Sequence, residues 1–360
     1  MTKNVVGNYT QTVRNKGYKP LAELDGKTLF YRKGNIYAEA ETGLECVMTV
    51  RKRSWKDYNR LFIRLFRYEP KYAVNTGVGL LLVGEKKIIL ANIADDTCQE
   101  LVSARQGFSD PLNILPVYGK WVAVWGDYGP NAGHEAVNIY GLDQDKRIEI
   151  LHIFRPGQVR HVHNIIPKRE GGYYIFTGDQ EAEAGIYSAD EDFQTVIPIA
   201  VGKQEYRVVV GFDTPQGLLY ATDAVNELNY IFLRNSAGYT QKLFAINGSC
   251  IYGRKYRENY LFSTTVEPDE SNSGLLSWLS TKRGQGILSD EVCLVCVDRN
   301  MEVSTLLRYK KDCWPMKLMQ YGSIQFVHGD SEALWIYPIG VREYDGTAIK
   351  LENCKSINRS

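Results

Sequence analysis

Histidine is scarce in this 360-residue chain, with five residues, and neither sign of charge prevails: 43 Lys and Arg stand against 42 Asp and Glu, a formal net charge of +1. Without a basic excess the chain carries no electrostatic footprint for nucleic acid, and no such partner is expected. No apolar run approaches the roughly 20 residues that a membrane-spanning helix needs. The start, MTKNVVGNYTQTVRNKGYKP, has no apolar segment of the kind a secretion signal carries. The expectation is a cytoplasmic protein with no membrane insertion. Neither GxGxxG nor a Walker-type phosphate loop occurs, so a nucleotide-driven reaction has no support and no cofactor is expected.

Paired cysteine motifs are also missing. Cys46, Cys98, Cys250, Cys293, Cys296, Cys313 and Cys354 form an odd set scattered through apolar runs. CLVC at 293–296 is the one CxxC, but EVCLVCV has the pattern of a strand, where residues three apart face opposite sides. Buried free thiols are expected, in keeping with a reducing compartment.

What the chain has is tyrosine (24), glycine (32) and a repeat. The segments KTLFYRKGN, GLLLVGEKK, KWVAVWGDY, YYIFTGDQE, LLYATDAVN, NYLFSTTVE and SIQFVHGDS each run apolar and stop at small or polar residues, usually with an acid. Each is followed by a second β-rich run, such as KKIILANIA or AGIYSADED, and then a third, such as RIEILHIF. Another strand pattern precedes most of them, as in HVHNIIP and YRVVVGF. About four strands per unit, recurring roughly every 42 to 64 residues, describe an all-β chain folded as a β-propeller of four-stranded blades.

Seven such units are visible, the first and last least regular, so seven blades are favoured and six remain open. A single domain over 1–360 is expected, with GTAIKLE completing the last sheet. A helical insertion is expected at 51–70, where Tyr58, Leu61, Phe62, Leu65 and Phe66 follow helical spacing behind Ser54 as N-cap. Residues 267–291 form a long loop between strands.

In a propeller blade the start of the innermost strand and the end of the second strand share one face. That places RHVHN (160–164) beside the TGD that closes YYIFTGD (173–179). Applied to every unit, the rule collects Glu85, Asp127, Asp179, Asp223, Glu267 and Asp330 from second strands, and Arg160, His161, His163, Gln204, Tyr206 and Arg207 from inner strands. Nearby turns add Tyr128, Asn131, Gln180, Asn226 and His328. Carboxylates around a basic and aromatic centre suit a carbohydrate ligand, whose hydroxyls need donors and acceptors. The competing reading is that an acid at a strand end bonds the free N–H groups of its own turn. His161 and His163 face one side of a strand and offer a metal pair, but spacing supplies no third ligand, so no metal is expected.

AGIYSADEDFQTV (184–196) resembles a degenerate Asp box, the S-x-D-x-G-x-T-W hairpin of sialidase-type propellers, with Ser188, Asp190 and Thr195 in place, and Asp192 and Val196 departing from the pattern. Residues 123–267 also resemble bacterial BNR-repeat proteins of unassigned activity, often labelled glycosidase-like. The Arg-Ile-Pro motif and arginine triad of true sialidases are not found. The resemblance therefore implies the fold and a glycan-directed site rather than sialidase chemistry.

Three functions stay open. A glycoside hydrolase needs an acid and a base or nucleophile flanking one bond, with Asp127, Asp179 and Glu267 as candidates. Arg160, Arg207, Gln204, Asn131, Gln180 and Asp223 would then hold the sugar. A uronate lyase would use Arg160 or Arg207 to neutralise the sugar carboxylate and His161, His163 or Tyr206 to remove the α-proton. A non-catalytic glycan- or protein-binding propeller is the third.

Overall fold

The computed structural model describes residues 3–6, 9–269, 275–328 and 333–353, so the expectations on Asp330 and Cys354 lie outside the described residues. The chain folds as a β-propeller of seven antiparallel blades, each laid down in chain order from its first strand to its last, except the final one. Contacts divide it into two compact units, 70–224 with 229–245, and 1–69 with 225–228 and 246–360.

The unit 70–224 holds four blades, spanning 72–103, 115–154, 161–201 and 208–246. Their second strands contain few polar side chains because both faces are covered. In Trp121–Gly126 every position is buried, as expected for a strand packed on two sides. The outer strand Ile148–Phe154 is instead largely uncovered, with Ile150 and Ile153 about half exposed. Val124, Val137 and Ile139 pack with Val162, Ile165 and Ile175 of the next blade. Each such side chain contributes about 1.5–3 kcal/mol when fully buried.

The other unit holds the blades 19–49 and 250–310 and a composite sheet. In that sheet Thr347–Asn353, which contains most of GTAIKLE, pairs with Tyr9–Lys16 rather than ending the sheet, with Val13 opposite Ile349. The irregularity of the first and last repeats has this cause: one blade draws strands from both ends of the chain.

Two local expectations need correction. The helix over 54–69 is divided into a 3-10 turn, Trp55–Asp57, and a short helix, Arg60–Phe66. Ser54 does cap the first, accepting from Lys56 N–H while Asp57 bonds back to Ser54 N–H. Asn59 divides the segment because its side chain accepts from Phe62 N–H and starts a second helix. KQEYR, taken as an inner strand, forms a 3-10 turn at Gln204–Tyr206, and the strand begins at Val208. CLVC lies within Glu291–Val297 with both thiols free and buried. No helix among the described residues is long and apolar enough to cross a membrane.

Candidate functional site

The inner strand His161–Pro167 pairs with Tyr173–Gly178 so that His161 lies opposite Gly178, with a bulge between Val162 and Asn164. His163 is the unpaired residue of that bulge. The same bulge recurs in three other blades, where Leu21, Val209 and Ile251 occupy the corresponding position. The bulge is therefore a property of the fold, and a polar side chain there is peculiar to this blade among the four. It brings the two imidazoles together on one side, ring centroids 4.8 Å apart. Gly178 makes room for them, since a Cβ there would lie 2.4 Å from His163 Cε1.

Both histidines are almost fully buried. His161 Nδ1 is 2.6 Å from the Gly129 carbonyl oxygen, and His163 Nδ1 is 2.9 Å from that of Val208. A carbonyl only accepts, so both Nδ1 atoms carry the proton and donate it. In a neutral imidazole the lone pair is then on Nε2, and the two Nε2 atoms converge on Asp179 Oδ1, at 3.4 and 3.2 Å. Arg207 Nη2 reaches the same oxygen at 3.2 Å. The Asp179 carbonyl accepts from Gln204 Nε2 and Arg207 Nη1, which ties the loop down. Tyr128 lies against His161, centroids 4.5 Å apart, and Asp179 keeps 38% of its side chain exposed.

The electrostatics leave an open position. Burial pushes the His163 imidazole below its ordinary value, and repulsion from His161 and Arg207 adds to this against the pull of Asp179. Burial also works against the Asp179 anion, but His161 and His163 outweigh it and hold the carboxyl well below the usual carboxylate range. When His163 is neutral its Nε2 faces this carboxylate as an acceptor, so attraction between the two needs a proton or a metal ion on that side, and the buried His161 Nε2 has no hydrogen-bond partner. Acceptors facing acceptors call for a cation between them. Donor atoms of His161, His163 and Asp179 all lie within 4.8 Å of one another. Imidazoles whose other nitrogen donates to a carbonyl are the usual form of metal-ligating histidine. The donor set of two nitrogens and one carboxylate oxygen fits a divalent transition metal. Asp179 supplies the third candidate donor that spacing alone did not reveal.

Other expected residues have different surroundings. Asp127 accepts from Asn138 N–H, from the Tyr140 hydroxyl and from Arg105. Asn131 bonds the carbonyls of Glu135 and Arg160 and accepts from Glu135 N–H, so it shapes its loop. Asp223 is buried with Arg207 Nη2 at 3.6 Å. Gln180 is exposed and precedes the 3-10 turn Glu181–Glu183. Tyr206 packs against the core cluster around Phe176 and Tyr220, and burial together with Glu205 raises its hydroxyl pKa. Glu267 belongs to the other unit, where it is buried and accepts from the Thr265 hydroxyl.

Sequence reasoning passed over a second polar pair. Buried Glu183 receives His134 Nδ1 at 2.8 Å, and its Oε2, 3.9 Å from Arg160 Nη1, has no hydrogen-bond partner. The signal was the acid-rich QEAEAG directly behind TGD. In the turn after Gly185–Ala189, Asp190 accepts from Gln194 and Thr195 N–H, and Phe193 stacks on Tyr173.

No protein-family model matches the chain, and no curated protein sequence matches it. Solved structures do share the fold. An oligogalacturonate lyase from Vibrio parahaemolyticus superposes with a TM-score of 0.54 at 9% identity, covering 99% of this chain and 97% of that one. An oligogalacturonate lyase in complex with manganese gives 0.52 at 10%, covering 99% and 96%. The AfRom2 CNH domain gives 0.53 at 7%, covering 95% and 98%. At these identities the likeness is one of fold, the seven-bladed β-propeller.

Proposed function

We propose that this propeller binds an acidic carbohydrate at the His161–His163–Asp179 centre and cleaves it by β-elimination. The observation that carries the reading is the convergence of two Nε2 atoms on Asp179 Oδ1 with both Nδ1 protons committed to carbonyls. That arrangement suits a divalent cation held by these three residues, which when bound would draw charge from a uronate carboxylate and so acidify the adjacent C–H. Two of the neighbours in fold are oligogalacturonate lyases, one of them in complex with manganese, which agrees with this choice of chemistry. The Asp-box resemblance rests on the turn at 190–195.

The chain's own groups supply the rest. Arg207 fixes Asp179 and adds positive charge for the sugar carboxylate, with Arg160 a second cation beside Glu183. His134 is oriented by Glu183 in the way a general base is oriented by an acid, leaving Nε2 as the accepting nitrogen on a side chain that is 45% exposed. It takes the α-proton, the C–H electron pair becomes the double bond, and the glycosidic oxygen leaves from the neighbouring carbon with its bonding pair and takes a proton from water. The hydrolase reading is weaker in geometry, because Asp127 is committed to Asn138, Tyr140 and Arg105 and supplies no free carboxylate.

The test is incubation with oligogalacturonate and a divalent cation, following reducing ends and ultraviolet absorbance together. Elimination yields both in equal amounts. Reducing ends without absorbance would return the site to hydrolysis, and neither would leave a binding module.

A further inference from the structure

In the unit containing the first blade, the turn between Lys27–Arg32 and Asn35–Ala40 meets the segment after Gly43–Thr49. Lys33 and Gly34 both have positive φ, and the Gly34 carbonyl accepts from Val50 and Arg51 N–H at 2.9 and 3.2 Å. A Cβ on Gly34 would lie 2.3 Å from the Arg51 carbonyl oxygen, so the approach requires glycine. It gathers Arg32, Lys33, Arg51, Lys52 and Arg53 around a cleft of about 520 Å³.

One carboxylate answers this charge. Buried Asp57 holds Arg51 through two hydrogen bonds of 2.7 and 2.8 Å. Arg32, Lys33, Lys52 and Arg53 enter no ion pair among the described residues. Arg32 stacks over Tyr18, which fixes its guanidinium without neutralising it. Desolvation, with Arg53 and Arg32 beside it, pushes the Lys33 ammonium below its ordinary value. Four cations with no ion pair of their own line one cleft, two of them exposed, and in a chain of almost zero net charge they repel one another unless an anion joins them.

We propose that this cleft binds a polyphosphate group, free or carried on a lipid head group. Phosphates bring about 1.5–2 charges each and accept bidentate arginine bonds, whereas a uronate carries one charge per sugar ring. The charge density of the cleft therefore matches phosphate. The proposal stands apart from the carbohydrate reading.

The probes are inorganic tripolyphosphate by calorimetry and phosphatidylcholine vesicles, with and without phosphatidylinositol bisphosphate, by flotation. Tripolyphosphate is expected to bind, at least tenfold more weakly after Lys33→Gln combined with Arg53→Gln. Lys33→Arg retains binding. The exposed pair Lys52→Gln and Arg53→Gln gives a second weakened variant should the first fail to fold. Flotation that depends on the phosphoinositide assigns the group to a lipid; tripolyphosphate binding without flotation assigns it to a soluble ligand. Absence of binding to both probes, binding unchanged in the variants, or preference for trigalacturonate over tripolyphosphate would overturn the proposal.

Discussion

Asp127 and Asp179 stand at the same place in neighbouring blades, each just past a second strand that ends in glycine. In sequence they are near twins, GD preceded by an apolar run. Their surroundings divide them. Asp127 is buried, and a backbone N–H, a tyrosine hydroxyl and an arginine occupy its acceptor positions. Asp179 is partly exposed and faces two imidazole nitrogens that accept rather than donate when neutral, with Arg207 as its cationic neighbour. A carboxylate whose lone pairs are filled by its own turn is part of the fold, whereas one left facing other acceptors has a place for something else.

Replacement by the isosteric amide separates the two most sharply. Asp179→Asn is expected to lower elimination by roughly 10³-fold while the protein stays folded, because it removes the anionic donor of the centre; kcat and the melting temperature, measured together, check this. Equal activity in this variant would place Asp179 with Asp127 after all.

The contrast extends to histidine. His328 is partly buried near Arg254 and Lys19, and desolvation first, then these cations, lowers its pKa to about 4. The unfolded chain takes up this proton near the ordinary value of 6.5, so stability is full above that pH. It falls as pH drops from about 6.5 to 4, by at most about 3.4 kcal/mol. Denaturant titrations across that window are expected to flatten in His328→Gln.

Asp127→Asn is expected to cost about 2 kcal/mol of stability, through its contacts with Arg105 and the Asn138 turn. Turnover per folded molecule stays within a factor of about two. Urea midpoints and active-site titration separate the two quantities. The smallest effect is that of His163→Val, which installs the kind of side chain found at the bulge in other blades. Stability should change by less than about 1 kcal/mol, with cation binding abolished. A large loss of stability would make His163 a structural histidine.

The alternation of apolar runs and acid-bearing turns made seven blades legible, and blade geometry correctly put RHVHN beside TGD, as the pairing of His161 with Gly178 shows. The composite sheet was less legible, because Tyr9–Lys16 pairs on one side with its sequence neighbour Lys3–Val6 and on the other with Thr347–Asn353, more than 300 residues away. Which acids are satisfied was not legible, since that depends on Asn138, Tyr140 and Arg105, residues with no signature of their own. His134 and Glu183 meet across a loop and a 3-10 turn, where no periodicity links them. Asn59 divided a segment whose apolar spacing alone reads as one helix.

The central claim is that His161, His163 and Asp179 hold a cation. The most direct measurement is titration of metal-stripped protein with manganese, read by calorimetry and electron paramagnetic resonance. The account predicts one equivalent bound per chain, with binding lost in both Asp179→Asn and His163→Val. No binding by the folded wild-type protein, or binding that survives both substitutions, would contradict it.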